Sequence, residues 1–211
     1  GFFDKVEIAT APGTEPDQIV LIVDVVEKST GEFSIGAGYS TGGENSGPSL
    51  EGSVTERNFL GRGQYLKLAL GGTQDSRTYT LSFTEPYFLG YRIAAGFDIF
   101  KNTNNYSGYD LDRTGGTIRF GLPIMEHLSA QVAYNLVSDD YLDDGDAATP
   151  YPAFIPLPGT WIKSSVSGTL VWDSIDDKNN PREGIFSRFT TEFAGIGGDA
   201  KWVKSTVKGS Y

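Results

Sequence analysis

Carboxylates are the densest reactive groups in this chain. Asp139, Asp140, Asp143, Asp144 and Asp146 crowd one segment, and oxygen donors at that density are the raw material of a calcium site. The spacing departs from the calcium-loop template. With Gly145 at its sixth position, Leu142 falls on a ligand position and Tyr151 stands where the closing Glu belongs. The segment reads instead as a solvated loop. Asp173, Asp176 and Asp177 are close enough to suggest a paired acid and base. They share their stretch with Lys178, Asn179 and Pro181, however, which marks a turn. His127 is the single histidine, and no G-x-S-x-G elbow or comparable nucleophile motif accompanies it. Gly36-Ala37-Gly38 lies inside a strand pattern with no helix after it, so it is not a dinucleotide fingerprint. The expectation is a protein that is not an enzyme and uses no metal or cofactor.

The elements that carry these residues follow a period of two. From Glu32 to Ser40, Phe33, Ile35, Ala37 and Tyr39 alternate with Ser34, Gly36, Gly38 and Ser40, which places the two sets on opposite faces of a strand. The same scheme recurs with Leu66, Leu68 and Leu70, with Tyr79, Leu81 and Phe83, with Phe97 and Ile99, and with Val132 and Tyr134. About ten such strands are expected after residue 31, at 32–41, 48–57, 64–73, 77–85, 91–101, 112–121, 126–137, 161–173, 184–195 and 200–211. Many exceed the ~5–6 residues of globular strands and match the ~9–11 needed to cross a bilayer at a tilt. Connections at 57–63, 85–90, 122–126 and 176–184 read as compact. Those at 41–47, 101–110 and 138–160 read as longer, the asymmetry of a membrane barrel.

Composition agrees. The chain has 27 Gly, 13% aromatic and 21% charged residues, a balance typical of barrels and sandwiches. Its longest uninterrupted apolar run, Ile19–Val23, is far short of a spanning helix. A net charge of −10 without any basic cluster excludes nucleic acid as a partner, and the absence of Cys removes disulfides and zinc–thiolate sites. Residues 1–28 differ in character. Two strands, 4–10 and 18–28, flank a Pro/Gly turn, and the second is nearly continuously apolar, as for a strand buried under helices. No leader is evident and Gly1-Phe2-Phe3 begins within an element, so the chain reads as a mature segment or an excerpt.

Four motifs, in order, carry a family resemblance: Gly1-Phe2-Phe3-Asp4-Lys5-Val6, Asn58-Phe59-Leu60-Gly61-Arg62-Gly63, Glu85-Pro86-Tyr87-Phe88-Leu89-Gly90, and Asp173 through Gly184. Together they resemble the BamA family, insertases of the POTRA-barrel superfamily, along essentially the whole chain. The resemblance implies that 1–28 is the C-terminal end of an α+β POTRA (polypeptide-transport-associated) domain. It implies that 32–211 is the N-terminal part of an antiparallel transmembrane β-barrel, the first ten of sixteen strands. A smaller barrel closed at ten strands is the alternative. Asn58, Gly61 and Gly63 then form one periplasmic turn, with positive φ at the glycines. Pro86, Tyr87 and Phe88 form another, with the aromatics at the membrane interface.

The function implied is insertion and folding of β-barrel proteins into the bacterial outer membrane, with the POTRA end in the periplasm. Strand 32–41 becomes the lateral gate, where Phe33, Ser34, Ile35, Gly36, Ala37, Gly38 and Tyr39 template a client strand by β-augmentation. Gly36 and Gly38 weaken that strand, or alternatively let the wall curve. Implied partners are nascent outer-membrane β-barrel proteins, outer-membrane lipids or lipopolysaccharide (bridged through cations by the acidic loop), and periplasmic accessory lipoproteins. A secretion or translocation pore, or a small binding barrel, are the other classes. Phe33, Ile35, Tyr39, Leu66, Leu68, Tyr79, Leu81 and Phe83 are expected to face lipid. Lys67, Arg92, Asp98 and Arg119 are expected to face the lumen.

Overall fold

The structure, a computed structural model, describes residues 2–15, 17–41, 47–145, 151–177, 180 and 182–210. Parts of several expectations lie outside them: Gly1 of the first motif, Pro16 of the first turn, most of connection 41–47, residues 146–150 of connection 138–160 with Asp146, Lys178, Asn179 and Pro181 of the last turn, and Tyr211 of the last strand.

Two strands open the chain, β1 (Phe3–Pro12) and β2 (Ile19–Glu27), paired antiparallel as a separate ribbon. Gly13 and Gln18 close its turn through a 2.9 Å backbone bond. The apolar run of β2, expected under helices, is exposed on both faces of this ribbon.

Ten further strands form one antiparallel sheet in chain order: β3 (Gly31–Ser40), β4 (Gly47–Phe59), β5 (Gln64–Gly72), β6 (Ser76–Glu85), β7 (Ala94–Tyr106), β8 (Tyr109–Met125), β9 (Leu128–Asp143), β10 (Gly159–Asp173), β11 (Phe186–Gly198) and β12 (Trp202–Ser210). Among the described residues each pairs only with its sequence neighbours, so β3 and β12 are the two edges of this sheet. Nine to seventeen residues per strand suffice to cross a bilayer.

Directly opposed residues share a face, so the registers sort the side chains. Leu66, Phe83, Phe97, Ile118, Tyr134, Val166, Phe193 and Val203 form one unbroken apolar row from β5 to β12. Phe33, Val54, Leu68, Leu81 and Ile99 form another on the same side. The opposite face carries Lys67, Ser82, Asp98, Thr117, Asn135 and Ser165 in register. The expected partition therefore holds for the eight apolar residues and for Lys67, Asp98 and Arg119. Arg92 departs from it: it lies exposed in the connection before β7, because Tyr91–Ile93 do not join the ladder.

The connections also differ from expectation. Residues 101–110 are not a loop. β7 continues to Tyr106 and β8 starts at Tyr109, paired across a tight turn whose Gly108 has φ 89°. Likewise Ser138–Asp143 extend β9. Asparagine-rich polar sequence there pairs as strand because the ladder satisfies its backbone. The size asymmetry is correspondingly weaker. The end of the sheet away from the β1–β2 ribbon has short turns at 73–75 and 199–201, and the near end carries the long turn 174–185.

Candidate functional site: the open edge and the polar face

β3 is bonded to β4 on one side only, from Gly31↔Glu56 to Ser40↔Gly47. All of Gly31–Tyr39 is exposed, Phe33 and Tyr39 at 73% each. An antiparallel edge of this kind presents a row of outward N–H and C=O groups that another strand can continue. Gly36 lies opposite Glu51 on the polar face, and a side chain added there would meet nothing within 4 Å. At Gly38 it would come within 3.0 Å of Ser49 Oγ. These two glycines are therefore not equivalent: one leaves open space and the other makes room for a neighbour.

Behind this edge the polar face is cross-linked. Arg119 on β8 pairs with Asp98 on β7 and donates to Thr84 Oγ1 on β6 at 2.6 Å. Thr117 donates to Asn135 Oδ1 at 2.9 Å, and Ser165 Oγ to Glu192 Oε1 at 2.6 Å. Lys163 lies 3.5 Å from the same carboxylate and 5.8 Å from the Trp202 ring. Higher on that face, Arg113 makes a bidentate pair with Asp139 at 2.6 and 2.9 Å, a geometry suited to fixing register between β8 and β9. Sequence reading named Asp98 and Arg119 as lumenal, and alternation alone sets Thr84 and Asn135 on the face opposite the apolar residues, but Ser165 and Glu192 were missed. Their alternation with apolar neighbours was the available signal.

The expected turns are built by side chains. Asn58 Oδ1 accepts the Gly63 N–H at 2.7 Å, and Gly61 and Gly63 have φ 70° and 66°. Glu85, which the sequence did not single out, accepts from Gln64 Nε2 at 2.6 Å and from the Tyr87 N–H at 3.0 Å. It thereby joins the Pro86-Tyr87-Phe88 turn to its neighbour. In the last turn, Asp176 Oδ1 accepts the Arg182 and Glu183 N–H groups at 3.0 and 3.2 Å, which hold its carboxyl below the usual range.

The acidic segment is likewise tied to protein donors. Asp140 accepts from Thr160 Oγ1 at 2.6 Å, Asp143 from the Gly145 N–H and Asp144 from the Gly108 N–H, both at 2.9 Å. Among the described residues no group of three or more His, Cys, Asp or Glu side chains is arranged to hold a metal ion. The His127 ring lies tilted against Trp172, 5.8 Å between ring centroids.

An open meander of long strands, apolar on one face and polar on the other, is a segment of an outer-membrane-type barrel wall. A family model for the Omp85 superfamily domain matches residues 58–211, and the chain belongs to that superfamily. It is 31% identical to the outer membrane protein assembly factor BamA of Neorickettsia risticii, over 99% of this chain and 28% of that protein. Identity to BamA of Nitratidesulfovibrio vulgaris is 29%, over 98% of this chain and 26% of that protein. The chain thus spans about a quarter of these curated relatives. In fold it is similar to the crystal structure of BamA from Haemophilus ducreyi lacking POTRA domains 1–3, with a TM-score of 0.73 and 23% identity, covering 99% of this chain and 42% of that one.

Proposed function

We propose that this chain is the N-terminal wall of an outer-membrane barrel that inserts and folds other β-barrel proteins, acting as an assembly factor without nucleotide, metal or covalent chemistry. The observation that carries the reading is the ten-stranded antiparallel meander with one apolar and one polar face, whose first strand β3 bonds only β4 among the described residues. A client strand added there gains main-chain hydrogen bonds in register, and its alternate side chains join an apolar outer row and a polar inner one. The relatives named as assembly factors support the same role. In this reading residues 1–28 end a periplasmic POTRA domain, and the clients are nascent outer-membrane proteins. Accessory lipoproteins act from the periplasm, and lipopolysaccharide meets the acidic outer segment.

Cysteines placed one at a time at 33–40 test the proposal. Disulfide or photo-crosslinks to a nascent client strand during assembly are expected. Crosslinks confined to the protein's own last strand would overturn it.

A further inference from the structure

Two turns at the end of the sheet nearest the β1–β2 ribbon are copies of one device. In the first, Phe59-Leu60-Gly61 places Leu60 at φ 56° and Gly61 at φ 70°, closed by Gly61 N–H to Asn58 O at 2.9 Å and Arg62 N–H to Phe59 O at 3.3 Å. In the second, Phe88-Leu89-Gly90 places Leu89 at φ 54° and Gly90 at φ 81°, closed by Gly90 N–H to Tyr87 O at 3.0 Å and Tyr91 N–H to Phe88 O at 3.1 Å. Among the described residues, Leu60 and Leu89 are the only non-glycine residues at positive φ. They are also 73% and 79% exposed.

A turn standing in water would place Asn or Gly at such a position. Leucine there is unfavourable twice, in backbone conformation and in exposed apolar area, and such outliers point toward a function for the site. The two turns are neighbours: Gln64 of the first bonds Glu85 of the second, and the Cβ position of Gly63 lies 3.9 Å from Pro86. Phe88 lies edge-on to Phe120 at 6.0 Å, and Phe120 belongs to the apolar face of the wall. The second turn is therefore continuous with the surface that meets lipid. Tyr87 and Tyr91 flank it, exposed, and Arg62 and Arg92 follow the two leucines, also exposed. Apolar tip, amphipathic ring and cation in one place match the chemistry of the bilayer interface.

We infer that the paired Phe-Leu-Gly turns are a lipid anchor. Leu60 and Leu89 enter the headgroup–acyl boundary of the leaflet at this end of the wall, with Arg62 and Arg92 at the level of its phosphates. The inference rests on the membrane-barrel reading and adds which residues set the depth of this part of the wall.

Spin labels on Leu60→Cys and Leu89→Cys, in the intact protein reconstituted into vesicles of phosphatidylethanolamine and phosphatidylglycerol with no other protein present, test it. Both labels are expected to be accessible to oxygen and shielded from a water-soluble nickel complex. The double variant R62Q/R92Q is expected to bring them closer to the aqueous phase, and an unchanged depth would overturn the assignment of the arginines. Full nickel accessibility at both positions overturns the anchor, as does shielding that appears only after a second protein is added. Labels at Leu68 and Leu81 separate the two levels of inference. Immersion there with aqueous turns defeats the anchor alone, whereas aqueous labels at all four positions defeat the barrel reading itself.

Discussion

Arg119 reaches over an entire strand to donate a 2.6 Å hydrogen bond to Thr84, and it does so above Gly96, the residue of β7 that stands between them in register. A Cβ at Gly96 would fall 2.6 Å from the Phe83 backbone oxygen of β6 and 3.0 Å from the guanidinium carbon. The glycine is thus a passage for the arginine, which also pairs with Asp98 on that strand.

Gly96→Val is therefore expected to displace Arg119 and to break its bonds to Thr84 and Asp98 together. The groups are only partly screened from water, so the lost polar contacts alone are expected to cost about 1–2 kcal/mol, between surface and buried pairs, and the clash with the Phe83 carbonyl adds to that. Urea unfolding of the refolded protein in detergent micelles measures it. Arg119→Gln in the Gly96→Val background should then add little, because the contacts it removes are already lost, while Gly96→Val alone should cost more than Arg119→Gln alone.

The faces of the wall predict opposite responses to charge. Leu81→Arg puts a cation on the apolar row and is expected to cost about 2–4 kcal/mol in a bilayer. Ser82→Arg, one residue on and facing the polar side, should cost less than ~1 kcal/mol. Folding equilibria in phospholipid vesicles compare them.

Gly36 and Gly38 separate stability from space at the candidate gate. Gly36→Val meets nothing within 4 Å and is expected to firm the edge strand by up to ~1 kcal/mol through strand propensity. Slower client assembly at unchanged protein level is the expected consequence, read in a reconstituted insertion assay. Gly38→Val instead meets Ser49 Oγ and should loosen β3–β4, seen as faster amide exchange on both strands.

At the far tip of β7–β8, Tyr106 and Tyr109 stack with ring centroids 4.8 Å apart, and Tyr109 also faces Tyr141 at 6.4 Å. Tyr106→Ala is expected to cost about 1 kcal/mol locally. Hydrogen exchange should quicken between residues 102 and 113 while the middle of β8 stays protected.

The turn 174–185 should respond to acid. Backbone N–H bonds from Arg182 and Glu183 lower the Asp176 pKa in the folded protein, so the stabilisation is complete above the ordinary carboxylate pKa of about 3.9. It is lost as pH falls through the lower, folded value. The protection factors of the Arg182 and Glu183 amides, corrected for the intrinsic pH dependence of exchange and followed from pH 6 downward, are expected to fall in that range. Asp176→Asn should remove most of the pH dependence of that protection.

Sequence alone determined which residues share a face. Alternation follows from the pleat of a single strand, so Phe33 with Ile35, or Leu81 with Phe83, could be placed without knowing any neighbour. Asn58 with Gly61 and Gly63 marked a turn for an equally local reason, the cost of positive φ. Whatever depends on pairing between distant residues was decided by tertiary structure. Asn102–Tyr106 became strand only because Arg113 and its neighbours stand opposite, and Arg92 left the wall because Tyr91 and Ile93 bond back to Phe88 to close a turn instead of joining the ladder. Arg119 found Thr84 through a register set by two ladders. The left-handed leucines 60 and 89 also ran against local preference: no propensity places them there, and the closure of β4–β5 and β6–β7 imposes it.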